Sequence, residues 1–221
     1  MGYRILVYRY PKKINPGTKG YFFIFTLTKN QSKKMGKKIL LGSQSPRRKE
    51  LLKKMDIRFK TVELDFEEVF PEDFPPYELP EYLALQKSLS YGKVKKDEIL
   101  ITADTIVVLK GMILGKPKNK TQAKKMLNTL SGRKHEVITG VCLRCKNDLI
   151  TFSDLTEVYF KDLTQKEIDY YVSKYKPFDK AGGYGIQEWI GLIGVKKIKG
   201  SFYNIMGLPT QKLHTFLNEC K

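Results

Sequence analysis

Cysteine, histidine and tryptophan are scarce in this chain, which holds three, two and one of them among its 221 residues. Cys142 and Cys145 form a single C-x-x-C pair, and no second pair follows at the spacing of a zinc site. On the strand expected there, residues three apart point to opposite faces, so the two thiols make a poor metal pair. We therefore predict packed, reduced thiols, which fit a cytoplasmic protein.

Long apolar runs are also lacking, since no stretch approaches the roughly 20 residues needed to cross a bilayer. We therefore predict no membrane-spanning segment. Leu, Ile, Val and Phe are nevertheless abundant, and 41% of the residues are hydrophobic. That content supports one globular domain and argues against a disordered chain.

Acidic residues are absent from residues 1–34, which hold eight lysines or arginines. The formal net charge is +18, of which the remaining 187 residues carry +10. Positive charge attracts polyanions, but it does not distinguish a nucleotide substrate from a nucleic acid. We predict that residues 1–34 are a poorly ordered basic extension, with an arm for nucleic acid or a membrane surface as the alternative. Met35 is an alternative start, because a predicted strand opens soon after it.

Apolar and turn patterns predict strands and helices that alternate along the rest of the chain. The predicted strands cover residues 39–42, 57–64, 99–109, 135–145, 149–160 and 191–199. The predicted helices cover residues 46–55, with Ser45 as N-cap, a stretch from about 80 onwards, 121–130, 164–175 and 209–219. The second of these helices would place Leu83 and Leu89 on one side. This mixture predicts an α/β fold with some antiparallel pairing.

The first candidate site is the segment 42–48, Gly-Ser-Gln-Ser-Pro-Arg-Arg, where a strand, a small-residue loop and a helix start follow one another. Free N–H groups and the dipole at a helix start attract anions. The Ser43 and Ser45 hydroxyls add donors, and Arg47 and Arg48 can bind phosphate oxygens with paired N–H groups. The segment is not a Walker loop, which requires G-x-x-x-x-G-K-[ST]. An ordinary capped helix with solvated arginines is the alternative.

Asp104 is the second candidate, because it lies inside the most hydrophobic predicted strand. Burying a carboxylate is costly unless it is paired or bound to a metal. We therefore predict that Asp104 belongs to a buried network or to a functional site. Thr105 beside it is a candidate hydrogen-bond donor to a substrate.

Three separated lysines, Lys87, Lys116 and Lys180, are candidates because lysine binds phosphate as a point charge. Their alternative is a solvated surface charge, which is the common fate of lysine. The acidic pair Glu67-Glu68 follows the second predicted strand, and an isolated acidic pair is usually exposed.

The glycine-rich segment 181–185 permits a close backbone approach to a ligand, or forms a simple turn. Gln187 follows it and offers both a donor and an acceptor, which suits the reading of a base edge.

Together these residues resemble the Maf family, whose members are also called septum-formation inhibitor proteins. The matching pieces occur in family order over about residues 37–219. They are Ser43 to Leu52, Glu67-Glu68, Ala84 to Lys87, Ala103-Asp104-Thr105, Gly115-Lys116-Pro117, Leu130-Ser131-Gly132, Thr139-Gly140-Val141, residues 179–187 and Gly207-Leu208-Pro209. One such motif is weak, whereas nine in order are specific.

The resemblance implies a mixed, elongated and twisted α/β sheet with flanking helices and two lobes around a central cleft, of the Maf/ITPase-like type. Residues 35–221 would form one catalytic domain. The implied activity is hydrolysis of the α–β phosphate linkage of a nucleoside triphosphate with Mg²⁺ or Mn²⁺, in a house-cleaning or division-linked role. We expect a nucleoside triphosphate as partner, neither a membrane nor a nucleic acid, and leave a homodimer open.

The resemblance also implies roles for individual residues. Asp104 would be the catalytic proton acceptor, with Glu68 beside it around the metal and the attacking water, and with Lys116 as a third catalytic residue. Whether Asp104 is the base or a metal ligand stays open. The implied substrate-binding residues are Ser43, Ser45, Arg47, Arg48, Lys87, Thr105, Lys180 and Gln187.

Arg47, Thr105 and Gln187 occupy the three positions that separate the subfamilies, and they resemble the branch that acts on dTTP and UTP. The branch that acts on 7-methyl-GTP tends to carry Trp, Gln and Glu there. Gln86 departs from the family, which commonly has Glu before the lysine. Two other classes stay open, namely a regulatory binding protein that restrains cell division and a basic nucleic-acid-binding protein.

Overall fold

The computed structural model describes residues 4–7, as backbone, and residues 37–71, 73–146 and 148–220. The strands are β1 (Arg4–Val7), β2 (Lys38–Leu41), β3 (Phe59–Thr61), β4 (Glu98–Leu109), β5 (Met112–Leu114), β6 (Lys134–Arg144), β7 (Asp148–Phe160) and β8 (Val195–Lys199). The helices are α1 (Pro46–Lys54), α2 (Leu79–Ser90), α3 (Lys120–Leu130), α4 (Gln165–Tyr175), α5 (Trp189–Gly194), α6 (Phe202–Ile205) and α7 (Thr210–Glu219), with a 3₁₀ turn at Ala181–Gly183.

The strands form one mixed sheet in the order β1-β7-β6-β4-β2-β3, with β5 paired to β4 and β8 paired to β7. β4, β6 and β7 are antiparallel neighbours, whereas β2 runs parallel to both β4 and β3. The helices flank this sheet, which confirms the predicted mixed α/β fold. Within the described ranges, no helix is long and apolar enough to cross a membrane.

Only four residues of the basic extension are described. They form β1, which pairs parallel to β7 with Arg4 opposite Asp148 and Val7 opposite Thr151. The prediction of poor order for the rest of residues 1–34 lies outside the described residues, and the boundary at residue 35 stays a prediction.

Alternate side chains of β4 pack into different cores, as expected of a strand that is buried on both faces. Ile101, Ala103 and Val107 join the large core that also contains residues of α1, α3, α4 and α7. Ile106 and Val108 pack instead against Leu79 and Leu83 of α2. Asp104 therefore lies on the α2 side of the sheet and Thr105 on the other side.

Close contacts fix α2 against the sheet. Gly140 lies opposite Asp104 in the β4–β6 pairing, and a Cβ atom there would sit 2.2 Å from the backbone of Pro80 and Glu81. The buried hydroxyl of Thr102 also donates a hydrogen bond to the carbonyl of Ala84, at 2.6 Å. These contacts bring the last turn of α2, which carries Lys87, to the neighbourhood of Asp104.

Two expectations about elements were wrong. Residues 191–194 belong to α5, so β8 begins only at Val195; a short apolar run does not distinguish a buried helix from a strand. Leu89 is 49% exposed, whereas Leu83 is buried. Six positions along a helix turn the chain by about 240° beyond a full turn, which places the two side chains on different sides.

The cysteines agree with the prediction of packed thiols, since Cys142, Cys145 and Cys220 are all free and buried. Cys142 packs with Ala84 and Cys145 belongs to the large core, so the C-x-x-C pair does point to opposite faces.

Candidate active site

The site occupies a gap along one edge of β4. β2 pairs with β4 up to Ile101, and β5 pairs with it from Val107 onwards. Among the described strands, none pairs with residues 102–106 on that edge, while β6 pairs along the opposite edge throughout this interval. Because the chain leaves the sheet after Leu41 to begin α1 at Pro46, the gap opens at the carboxyl end of β2, where α/β sheets bind ligands.

The gap is part of a cavity of about 440 Å³, a size typical of small-molecule sites. All eleven predicted site residues line it: Ser43, Ser45, Arg47, Arg48, Glu68, Lys87, Asp104, Thr105, Lys116, Lys180 and Gln187. The fold therefore brings the whole predicted set together from distant parts of the chain. Their chemical roles remain predictions.

Lys87 links the two predicted metal-binding carboxylates. Its ammonium nitrogen lies 2.6 Å from Oδ1 of Asp104 and 2.8 Å from Oε1 of Glu68. The side chains of Lys87 and Asp104 are only 15% and 12% exposed, whereas Glu68 is 47% exposed. Asp104 is thus not isolated in the core, because a lysine that α2 delivers supplies its counter charge. The Phe66 ring lies under the same ammonium, 5.6 Å from it.

Glu68 remains a carboxylate at neutral pH. Partial burial raises its pKa. The hydrogen bond and charge of Lys87, with the charges of Lys116 and Arg48, lower the pKa by more than burial raises it, so the pKa lies below the ordinary value of 4.5. The two carboxylates and the cations around them therefore form one electrostatic unit.

Arg48 ties three walls of the cavity together. Its guanidinium donates to the Gly207 carbonyl at 2.8 Å, to the Ser43 hydroxyl at 3.1 Å and to the Thr105 hydroxyl at 3.0 Å. Burial lowers the pKa of Arg48 from its ordinary value, while the charge of Asp104 opposes that change. The geometry makes Arg48 a structural centre as well as a predicted phosphate ligand.

The Thr105 hydroxyl is already hydrogen-bonded to two residues of the protein, Arg48 and Thr139. The Thr139 hydroxyl donates to the Asn204 carbonyl at 2.9 Å, so in the 2.9 Å contact between the two threonines Thr105 is the donor. Its oxygen accepts from Arg48. The predicted donation from Thr105 to a substrate would require this chain of hydrogen bonds to rearrange.

Arg47 and Lys180 share an acidic partner on the cavity wall. Arg47 donates to Asp179 through Nη1 at 2.6 Å, and Lys180 contacts the other carboxylate oxygen at 2.8 Å. Lys180 also lies 3.1 Å from Glu188. Partial burial raises the pKa of Asp179, but the hydrogen bonds and charges of Lys180 and Arg47 together outweigh it and hold the pKa below its ordinary value. The anionic Asp179 occupies donors that a polyphosphate could use.

Ser45 and Pro46 begin α1 as predicted, but the Ser45 hydroxyl makes no capping hydrogen bond. Instead the Ser45 N–H donates to the Ser43 hydroxyl, at 3.3 Å. The first turn of α1 lines the cavity and has no side-chain cap, which suits an anion.

Gln187 presents an unsatisfied group. Its Oε1 is buried, and no hydrogen-bond partner for it is found in the described part of the chain. A buried acceptor without a partner is unfavourable, so a ligand donor that reached it would gain from the contact. Lys116, by contrast, is exposed at the cavity wall, where its charge acts on Glu68.

The acidic groups suit a hard cation only in part. No cluster of three or more His, Cys, Asp or Glu residues that could hold a metal is found among the residues described here. Glu68 and Asp104 nevertheless face one cation position together, and Mg²⁺ commonly binds one or two carboxylates and takes its other ligands from water and phosphate. The pair fits such an ion, provided that Lys87 moves or shares the carboxylates.

Sequence reasoning gave no role to Asp179, Glu188 or Phe66. Asp179 stood within a matching segment, and its position beside Lys180 was a usable signal. Glu188 and Phe66 acquire their contacts only through tertiary packing, since Phe66 meets Lys87 of α2 and Glu188 folds back to Lys180.

The chain is similar to known proteins over most of its length. The family model described as "Maf-like protein" matches residues 38–220. A protein of Phocaeicola vulgatus named dTTP/UTP pyrophosphatase is 51% identical over 184 residues, which cover 82% of this chain and 95% of that protein. One of the same name from Porphyromonas gingivalis is 50% identical over 188 residues, covering 83% and 93%. Among solved structures, the Ham1 protein of Staphylococcus aureus matches with a TM-score of 0.46 and 16% identity, over 84% of this chain and 100% of that one.

Proposed function

Since the chain belongs to the Maf family, we propose that it hydrolyses dTTP and UTP to the monophosphate and pyrophosphate. Modified pyrimidine nucleotides belong to the same substrate class. The observation that carries the proposal is the convergence of five cations, Arg47, Arg48, Lys87, Lys116 and Lys180, with the carboxylates Glu68 and Asp104 on one cavity. The name shared by relatives at about half identity supports the same substrates.

The cations answer the main obstacle to the reaction, which is repulsion between a nucleophile and a polyanion. Positive groups fixed in advance stabilise the charge that develops on phosphate oxygens. Arg47 and Lys180 would exchange Asp179 for phosphate oxygens, and Lys116 would approach them from the exposed wall. The uncapped start of α1 adds N–H groups to the same region.

Asp104 is the proposed proton acceptor. A water held by its carboxylate would give up a proton to Asp104 while its oxygen attacks the α-phosphorus. The bond from the α-phosphorus to the bridging oxygen breaks, and pyrophosphate leaves with the bonding electrons. Lys87, at 2.6 Å, keeps Asp104 oriented toward the cavity.

Mg²⁺ or Mn²⁺ is the proposed cofactor, held by Glu68 and Asp104. When bound, the ion would neutralise phosphate charge and lower the pKa of a coordinated water. With the ion in place, Asp104 would act as a ligand, as the base, or as both.

Gln187 is the proposed reader of the pyrimidine base. Its buried Oε1 can accept from the ring N–H that thymine and uracil share, and its amide N–H groups can donate to a ring carbonyl. The proposed cytoplasmic location is supported by the three free cysteines, and a homodimer remains a prediction.

Pyrophosphate release from a panel of canonical and modified triphosphates, with Mg²⁺ and with a chelator, tests the proposal. We expect dTTP and UTP to give the highest kcat/KM and the chelator to abolish turnover. Release of single phosphates, or equal turnover of purine nucleotides, would contradict it. A salt-dependent titration with nucleic acid tests the alternative binding function.

A further inference from the structure

Lys180 is a buried cation, with 8% of the residue exposed. Its ammonium contacts the carboxylate of Asp179 at 2.8 Å and that of Glu188 at 3.1 Å. A buried ammonium requires a counter charge, and the position of that counter charge decides where the ammonium rests.

The two carboxylates are held very differently. Asp179 is 51% exposed and is shared with Arg47. Glu188 is 19% exposed, and its second oxygen accepts a hydrogen bond from the hydroxyl of Tyr171, a fully buried residue of α4. Tyr171 in turn accepts from the N–H of Gly185 at 2.9 Å. Glu188 therefore connects Lys180 to a fully buried residue of α4, whereas Asp179 lies on the exposed wall.

The local chain is shaped around this carboxylate. A Cβ atom on Gly185 would lie 2.7 Å from Cδ of Glu188, so glycine at this position leaves room for the Glu188 carboxylate where it stands. The Glu188 N–H donates to the Gly185 carbonyl at 3.0 Å, which closes the turn that carries Gln187. Glu188 thus contacts Lys180 through its carboxylate and Gly185 through its backbone N–H.

Glu188 occupies the N-cap position of α5, yet its side chain makes no capping hydrogen bond. Asp, Asn, Ser and Thr are the residues that cap helices well, because their short side chains reach the first N–H groups. The longer Glu carries its carboxylate to Lys180 instead. Burial, with the hydrogen bond to Glu188, raises the pKa of Tyr171, so its hydroxyl remains a donor at any ordinary pH.

We propose that Glu188, held by Tyr171, is a positioning residue that fixes Lys180 for the polyphosphate and the Gly185–Glu188 turn for the base. Glu188 does not line the cavity among the residues described, so it acts through Lys180 and Gln187. The assignment of ligand groups rests on the proposed function.

The test compares Glu188→Asp, Tyr171→Phe and the double variant with the wild type, and uses Asp169→Asn as control. Asp169 lies on the same helix as Tyr171 but faces Lys124 at the surface. The measurements are the affinity for inorganic tripolyphosphate by calorimetry, kcat and KM for dTTP, and the melting temperature. Glu188→Asp keeps the charge and shortens its reach, and a shorter carboxylate at this position can cap α5, which offsets part of the stability lost with the Tyr171 hydrogen bond.

We expect each single variant to weaken tripolyphosphate affinity and to raise KM by about five- to tenfold, with kcat changed less than about threefold, because binding common to ground and transition states is lost. The loss of affinity in the double variant should be smaller than the sum of the two single losses, since the Tyr171 hydroxyl and the Glu188 carboxylate belong to one hydrogen-bonded network. The Asp169→Asn control should match the wild type.

If Glu188→Asp binds tripolyphosphate as tightly as the wild type, the proposal is overturned, because a carboxylate at position 188 would then support binding wherever it is placed. Additive losses in the double variant would also overturn it. Should the wild type release no pyrophosphate from dTTP while the tripolyphosphate pattern holds, the proposed activity fails and the positioning role stands.

Discussion

The ammonium of Lys87 lies 2.6 Å from the carboxylate of Asp104, which is the contact that accommodates an acid in the most buried strand of the sheet. Lys87 comes from α2, which packs against the same face of the sheet. Lys87, whose charge offsets the cost of burying a carboxylate, thus comes from α2, whereas Asp104, the proposed proton acceptor, comes from β4.

Replacement of Asp104 by Asn should reduce kcat for dTTP by at least ~10²-fold, the scale expected when a general base is lost. The Asn side chain retains an oxygen that can accept from Lys87, so the variant should fold. Pyrophosphate release and circular dichroism measure the two effects. Near-normal turnover would reject the role of Asp104.

Glu68 should produce a pH-dependent part of stability. Its pKa in the folded protein lies below the ordinary 4.5, because Lys87, Lys116 and Arg48 outweigh partial burial. Its contribution is therefore complete well above pH 4.5 and is lost as the pH falls from that value through the lower folded pKa. Melting temperatures of the wild type and Glu68→Gln should differ at neutral pH and converge in acid. If the difference in melting temperature grew as the pH fell, the pKa of Glu68 in the folded protein would lie above its ordinary value and the prediction would be wrong.

Replacement of Gln187 by Glu should lower kcat/KM for dTTP and UTP by about tenfold or more, because a carboxylate cannot donate to a base carbonyl and adds charge beside the substrate. Folding should change little, since Gln187 is only half-buried. Gln211→Glu, on the exposed face of α7, is the matched control. An unchanged substrate profile in the Gln187 variant would remove its base-reading role.

Replacement of Arg48 by Lys should destabilise the protein by about 1–3 kcal/mol, because one ammonium cannot reach Ser43, Thr105 and Gly207 together. Arg58, which is exposed, provides the control, and Arg58→Lys should change stability by less than about 0.5 kcal/mol. Denaturant midpoints measure both. Equal midpoints for the two variants would show that the three hydrogen bonds contribute little.

The sequence was most informative where physical signals were local. The capping box at Thr164 and Glu167 is present, and the helix it starts ends at Tyr175 as predicted. The gathering of the eleven site residues could be predicted only through family resemblance, because no spacing rule connects residues 47, 68, 104 and 187.

Other features could not be predicted because they depend on contacts between distant residues. Lys87 pairs with two carboxylates only because α2 packs against the sheet. The Thr105 hydroxyl donates to Thr139 only because Thr139 itself donates to the Asn204 carbonyl. Residues 191–194, the end of α5, were mistaken for strand because the run Trp-Ile-Gly-Leu-Ile-Gly carries apolar groups at the spacings of both a strand and a helix.

Gly140 has a consequence for Asp104, its neighbour across the strands. Since the first turn of α2 rests where a Gly140 side chain would be, the height of that helix above the sheet is set by one missing methyl group. Even alanine at this position would push the first turn of α2 away from the sheet, and the Lys87 ammonium would move away from its two carboxylates with the helix. A substitution inside the sheet would thereby change the ion pairs that Lys87 makes with Asp104 and Glu68 in the cavity.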